Sequence, residues 1–304
     1  MGKRSKKPLI GVALGSGSAR GWAHIGILKA LERYGIKPDI VCGTSIGALV
    51  GGAYAAGVID KFEKWVLSLD LKKVLSFLDI SFYGGIFKGE KLIDFYRDNF
   101  ADKKIEDLPL LFGAVATSLT NGSEVWIKKG FLVDAVRASI SLPGFFTPYI
   151  YEDMLLVDGG LVNPVPVSLA RAMGADIVIA VDLGVDKINN KDKRLLPAIG
   201  INTGKVGEWL HKMKERFNIN GSKEKSENTD LPTLIEVLTT SIHIMQVRIS
   251  RSRLAGDPPD LLIAPKLGHF SLFDFHLGKE AIEEGEKAVE RVESQLLDIK
   301  QLVY

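Results

Sequence analysis

The stretch that most constrains this chain is Val41–Ala56, VCGTSIGALVGGAYAA. An apolar run, Ile40-Val41-Cys42, enters it, Gly43-Thr44-Ser45-Ile46-Gly47 makes a turn, and a helix of small residues, Ala48 to Ala56, leaves it. Strand, tight turn and helix place Ser45 at an apex, where its hydroxyl projects above a sheet and clear of its own backbone. Gly43 and Gly47 suit a turn packed so closely against a helix that Cβ atoms have no room. The functional reading is a nucleophilic serine. The competing reading is a phosphate-binding or purely structural glycine turn.

The elements around this turn define the fold class. Leu9–Leu14 reads as a short buried strand, Gly15–Gly21 as a loop, and Trp22–Tyr34 as a helix with Ile25, Leu28 and Leu31 at helical spacing. A second strand and the serine turn follow, giving a βαβα order that favours a parallel sheet with helices on both faces. Ile59 to Asp107 reads as mostly helical, interrupted by an apolar loop at Ser81–Phe87. Leu110–Ser118 is a strand, Asn121-Gly122 a turn, and Glu124–Ile127 an antiparallel return. Leu132–Ser141 is a helix, Met154–Val157 a strand running into Asp158-Gly159-Gly160, Val167–Met173 a helix and Asp176–Asp182 another buried strand. Leu231–Leu254 is a long helix with Leu234, Val237, Leu238, Ser241 and Met245 on one face. Leu261–Ala264 is a last strand and Gly278–Val303 a last helix.

Composition changes over 185–230, where runs such as Asn189 to Arg194 are polar and charged, the signature of a mobile insertion. Inside it Val206, Leu210, Met213 and Phe217 line one side of a basic helix, a pattern that fits packing on the chain's own domain or a membrane interface. The expected organisation is one domain over 1–304: a motif-bearing core at 8–184, the insertion at 185–230, and a helix–strand–helix tail at 231–304. Net charge is +2, of which Lys3, Arg4, Lys6 and Lys7 supply +4 and the rest of the chain −2, so there is no electrostatic case for nucleic acid. The basic tail suits peripheral contact with an anionic membrane surface. Cys42 is the single cysteine and forms no internal disulfide, which is compatible with a reducing, cytoplasmic setting. No stretch of about 18 apolar residues spans a membrane.

Acyl transfer through serine needs a nucleophile, a base, and donors for the developing oxyanion. Ser45 supplies the first. The loop holding Gly15, Gly17, Ser18, Arg20 and Gly21 suits the third: its glycines let amides converge, and it opens onto a helix N-terminus. Arg20 anchors that loop or adds positive potential. A dinucleotide reading of the same loop fails on spacing, because the third fingerprint glycine falls at Arg20 and the acid Asp39 precedes the second strand. A P-loop is excluded, since no Gly-Lys-Ser/Thr follows. For the base, the residues leave two options. His269 and His276, in GHFSLFDFHLG, come late enough for a Ser–His–Asp order. Asp158 sits at a strand end held by Gly159 and Gly160, a loop-tip placement suited to an active site. His24 lies inside the first helix, His211 in the insertion and His243 in a long helix. No cluster has metal-ligand spacing, and no cofactor is expected.

Taken in order, Gly-x-Gly-x-x-Arg-Gly (15–21), Gly-x-Ser-x-Gly (43–47) and Asp-Gly-Gly (158–160) resemble the motifs of patatin-like phospholipases. Arg137-Ala-Ser139 through Pro148, Asn163-Pro164-Val165-Pro166, and the DPPDLLI…FDF tail at 257–275 are similar to that family as well. The resemblance implies a three-layer α/β/α fold with a mainly parallel central sheet. It also implies a Ser45–Asp158 dyad without histidine, and Gly17 and Ser18 amides facing the oxyanion. Plant patatins carry consecutive glycines where this chain has Ser16-Gly17-Ser18, so which amides point inward is left open. The implied substrate is a lipid or other carboxylic ester, cleaved through an acyl-enzyme. A patatin fold that binds or regulates without catalysing is the alternative from another class.

Overall fold

The computed structural model describes residues 7–77, 79, 85–100, 103–184 and 234–303. The sequence-predicted insertion at 185–230 and its basic helix lie outside them. Parallel strands β1 (Ile10–Leu14), β2 (Ile40–Thr44), β4 (Leu111–Ser118), β9 (Ile177–Val181) and β10 (Leu261–Ile263) form the heart of one sheet. Its order is β10-β9-β1-β2-β4-β8-β7, with β8 (Met154–Asp158) and β7 (Tyr149–Tyr151) antiparallel, and with β5 (Glu124–Ile127) also paired to β4.

Helices α1 (Ala23–Arg33), α2 (Ile46–Ala55), α3 (Ile59–Leu67), α4 (Leu71–Ser76), α5 (Glu90–Asn99), α6 (Leu132–Ser139) and α7 (Val167–Ala172) are followed by α8 (Leu234–Gly256), α9 (Gly278–Glu290) and α10 (Glu293–Val303). The strands' period-two alternation sorts the core into two layers. Ile10, Val12, Leu14, Val41, Phe112, Ala114, Ile179 and Val181 face a large cluster that includes α1, α2, α3 and α6 residues. Ala13, Ile40, Cys42, Val115, Val178 and Ala180 face a smaller one built on Leu169 and Ala170 of α7, with Leu254 of α8 packed against it. This is the three-layer α/β/α arrangement expected from the βαβα order.

Two features of the topology position the site. First, the chain winds outward from β1 to β2 and β4, then returns to lay β9 on the other side of β1. The carboxyl ends of β1 and β9 therefore flank a topological switch point, where open α/β sheets place their ligands. Second, β2 and β8 share one edge of β4. Thr44 pairs with Val115, and Asp158 pairs with the next residue, Ala116. β5 occupies the opposite edge at both positions, opposing Val115 with Trp126 and Ala116 with Val125. Two strands running in from opposite directions thus end head to head, and their last residues become neighbours although the sequence separates them by more than a hundred positions.

Three expectations need correction. The predicted helix over 278–303 is two helices, broken at Arg291 and Val292. The apolar interruption before α5 contains a short strand, β3 (Gly85–Phe87), which pairs in parallel with β6 (Gly144–Phe146). The helix expected to begin at Trp22 opens instead with a 3-10 turn, Ser18–Trp22. The apolar residues that share one face of α8 point outward: Val237, Leu238 and Met245 are 45–50% exposed. The rotation of α8 is set by polar anchors on its other side, where Ser250 donates to Asp182 at 3.0 Å and Arg253 pairs with Glu124 at 2.8 Å.

Candidate active site

Ser45 lies between β2 and α2 with φ 57° and ψ −123°, a left-handed backbone that non-glycine residues seldom adopt. The turn closes only because its flanks are glycine. A Cβ at Gly47 would collide with the Leu14 carbonyl oxygen, and one at Gly43 with the Gly47 and Ala48 backbone. The turn is held from three sides. The Ser45 amide donates to Ser139 Oγ at 2.8 Å, Thr44 Oγ1 donates to the Asn163 carbonyl at 2.9 Å, and the Ser45 carbonyl accepts from the amides of Ala48 and Leu49. Strain fixed this firmly is a feature of functional sites.

The structure brings Ser45 and Asp158 together. Ser45 Oγ donates to Asp158 Oδ2 at 2.5 Å. The other carboxylate oxygen accepts from the Gly160 amide at 2.7 Å. The Asp158 main chain is anchored too, since its amide donates to the Ser141 carbonyl at 2.9 Å and its carbonyl accepts from Thr117 Oγ1 at 2.8 Å. Asp158 is 1% exposed. Burial pushes its carboxyl up from 3.8 to about 6, against the hydrogen bonds from Ser45 and Gly160, which pull it down. Gly159 leaves no room for a side chain, because a Cβ there would strike the Val115 carbonyl of β4.

The loop after β1 passes beside this pair. Its amides at Gly15, Ser16 and Ala19 are taken up by the carbonyls of Val181 (3.0 Å), Pro164 (2.8 Å) and Leu272 (3.2 Å). Among the described residues no such bond engages the amides of Gly17 and Ser18, and both residues line the same cavity as Ser45 and Asp158. Arg20 is the anchor of this loop. Its buried guanidinium donates to the Gly17 carbonyl at 3.2 Å and the Leu183 carbonyl at 2.9 Å, and it meets His243 Nδ1 of α8 at 3.3 Å. A trans peptide is planar, so holding the Gly17 carbonyl toward Arg20 turns the Ser18 amide the opposite way. Desolvation lowers the Arg20 pKa to about 10, which leaves it charged at neutral pH. His24 supports the loop from behind: its Nε2 meets the Gly15 carbonyl at 2.8 Å, and burial drops its pKa to about 4, so the ring is neutral. Gly21 sits against Ile46 with no space for a Cβ.

A cavity of about 210 Å³ opens over the pair. Its polar lining is Ser16, Ser18, Ser45, Asp158, Thr239, His243 and Gln246, and the remainder is apolar, with Trp22, Trp65, Phe145, Phe146, Phe273 and Phe275 among the aromatics. The phenylalanines of the 270–275 loop divide their work, since Phe270 is fully buried in the core while Phe273 and Phe275 face the cavity. His269 stands apart, its Nε2 2.9 Å from Glu280 on an exposed surface, and neither it nor His276 lines the cavity. Among the described residues no group of three or more His, Cys, Asp or Glu side chains could hold a metal ion, and no helix is long and apolar enough to cross a membrane. Sequence reasoning missed Gln246 and gave no role to Ser139 and Ser141, whose contacts with the two central residues depend on α6 ending beneath β4.

A three-layer α/β protein with a strand–serine–helix elbow at the switch end of its sheet, and a buried carboxylate against that serine, defines the class. The chain belongs to the patatin-like phospholipase family, whose model matches residues 12–171. It is similar to an uncharacterized NTE family protein of Mycobacterium bovis, 33% identical over 92% of this chain and 90% of that protein. It also matches human patatin-like phospholipase domain-containing protein 6, 35% identical over 79% of this chain and 17% of that much longer protein. Lysophospholipase nte1 of Emericella nidulans is 36% identical over 58% of this chain and 12% of its own length. Among solved structures, VipD of Legionella pneumophila shares the fold with a TM-score of 0.50 at 15% identity, over 96% of this chain and 67% of that one.

Proposed function

We propose that this chain is a lipid acyl hydrolase that cleaves carboxylic esters through Ser45 and Asp158. The observation that carries the reading is the 2.5 Å hydrogen bond from the Ser45 hydroxyl to a buried carboxylate, at the floor of an apolar cavity. Free aspartate is a weak base, but a carboxyl raised to about 6 is a better one and is still mainly ionised at pH 7. In the first step Ser45 Oγ attacks the ester carbonyl while its proton passes to Asp158 Oδ2. The carbonyl oxygen becomes an oxyanion, which the amides of Gly17 and Ser18 receive. Collapse expels the alcohol, which takes the proton from Asp158, and leaves an acyl-Ser45 ester. Asp158 then deprotonates a water that attacks this ester, and the released Ser45 alkoxide recovers the proton. Neither half needs a metal or an organic cofactor.

The apolar walls fit an acyl chain, and the relatives include a protein named lysophospholipase, so the substrate class we assign is a lysophospholipid or a similar single-chain ester. The test is fatty-acid release from lysophosphatidylcholine micelles. The wild type releases it with and without EDTA, and Ser45→Ala and Asp158→Asn do not. Release that survives Ser45→Ala, or a wild type inert on every ester tried, refutes the reading.

A further inference from the structure

The turn that ends α6 touches both members of the pair, and it does so through their main-chain amides. Ser139 Oγ accepts from the Ser45 amide at 2.8 Å and donates onward to the Val115 carbonyl at 2.6 Å. Two residues on, the Ser141 carbonyl accepts from the Asp158 amide at 2.9 Å. Ser139 and Ser141 are both fully buried. One short turn therefore grips the elbow and the end of β8 at once, on the β4 residues where those strands meet head to head. Neither amide has an alternative there: Ser45 lies past the last ladder position of β2, and buried amides carry a full desolvation cost if left unmade.

A third residue links this turn to the walls of the cavity. Arg137, 1% exposed, donates from Nη1 to Ser141 Oγ at 2.6 Å, and Ser141 Oγ donates back to the Arg137 carbonyl at 2.7 Å. Arg137 Nη2 reaches the Lys88 carbonyl and both oxygens of Thr147, at 3.1 Å to the carbonyl and 2.9 Å to Oγ1. Lys88 and Thr147 directly follow Phe87 and Phe146, which line the cavity and belong to the paired strands β3 and β6. The guanidinium is thus a single rigid fork, with one arm on the turn that holds the pair and the other on the two strands that wall the cavity.

We propose that the 139–141 turn is the positioning element of the active pair, with Ser139 fixing the nucleophile and Arg137 transmitting occupancy of the acyl cavity to it. This rests on the reading of Ser45 and Asp158 as nucleophile and base. Ser139 and Arg137 are positioning residues: neither touches the reacting atoms, and each acts through a hydrogen bond to a residue that does or that holds one that does. The fork already holds Lys88, Thr147 and Ser141, so an acyl chain packed against Phe87 and Phe146 braces that linkage and, through the Ser141 carbonyl, the Asp158 main chain. Part of the chain's binding energy is then spent on geometry at the reacting centre, where it raises kcat rather than lowering KM.

The experiment measures kcat and KM for p-nitrophenyl esters of four to twelve carbons, for wild type, Ser139→Ala and Arg137→Gln, with thermal melts of all three. In Ser139→Ala the elbow loses its grip, and a nucleophile misplaced by about 1 Å costs on the order of 100-fold. The account expects kcat to fall about 10- to 100-fold at every chain length with KM within about threefold. The acidic limb of the kcat/KM profile moves to higher pH, because a displaced Ser45 no longer donates to Asp158. In wild type kcat rises with chain length, and in Arg137→Gln that rise flattens while short esters are cleaved nearly as before. Wild-type kcat and an unmoved limb in Ser139→Ala, a loss carried by KM, or a loss matched by the unfolded fraction at the assay temperature overturns the proposal. So does an Arg137→Gln series parallel to wild type. A wild type that cleaves none of the esters overturns the hydrolase reading itself, and is distinguished by that control from a failure of this inference alone.

Discussion

Replacing Asp158 by asparagine should make the protein more stable at alkaline pH while abolishing its chemistry. The carboxyl is moved from 3.8 to about 6 by burial, so its folded-state pKa is above its unfolded one. Between those values the folded chain holds a proton that the unfolded chain has released, so stability falls as pH rises through that window. Once the group is ionised in both states, the penalty is on the order of 3 kcal/mol at pH 8, shrinking to less than about 1 kcal/mol at pH 4. Asparagine has the same shape and no charge. Its oxygen still accepts from the Gly160 amide, which approaches Oδ1 at 2.7 Å, so little else is lost. Urea unfolding of wild type and Asp158→Asn at both pH values reads the difference. The variant should be more stable by about 1–3 kcal/mol at pH 8, with the gap nearly closed at pH 4. A variant less stable than wild type at pH 8, or an equal gap at both pH values, would refute the argument that burial of this carboxyl is paid for in folding energy.

Three further outcomes follow from the same geometry. The kcat/KM profile of the wild type should rise with pH through a midpoint near 6, where Asp158 becomes a competent base, and a midpoint near 4 would mean the carboxyl is not desolvated in solution. Alanine at His269 and His276 together should leave ester turnover within about twofold, since neither residue lines the cavity, whereas loss of turnover would restore a Ser–His–Asp triad. Gly47→Ala should lower stability by about 1–3 kcal/mol or more, because its Cβ meets the Leu14 carbonyl, and an unchanged melting temperature would show that the elbow is looser than described.

The parts of this fold that were legible in the sequence are those written locally. The apolar runs of β1, β2 and β9 and the small-residue turn at Ser45 carry their geometry in consecutive residues, and the Asp-Gly-Gly that closes β8 marks a strand end. What joined Ser45 to Asp158 was the order of motifs; the physical cause, two strands abutting on one edge of β4, is a matter of non-local register that no spacing encodes. The same limit explains α8. The sequence puts Val237, Leu238 and Met245 on one face, but which way that face points depends on contacts to Asp182, Glu124 and Arg20, partners on distant elements. Strands β3, β6 and β7 are three residues each, too short for an alternation to register. The break between α9 and α10 falls at Arg291-Val292, without the glycine or proline that punctuates a sequence. Ser139 and Ser141 are ordinary helix-end serines until β4 and β8 are laid beside them.

The central claim, that Ser45 is a nucleophile activated by Asp158, is tested most directly by the rate at which a fluorophosphonate labels the intact chain, followed by mass spectrometry. One adduct per chain should form, mapping to Ser45, with a rate that climbs through about pH 6 in wild type and collapses in Asp158→Asn. Absence of the adduct, its location elsewhere, or labelling of Asp158→Asn at the wild-type rate would contradict it.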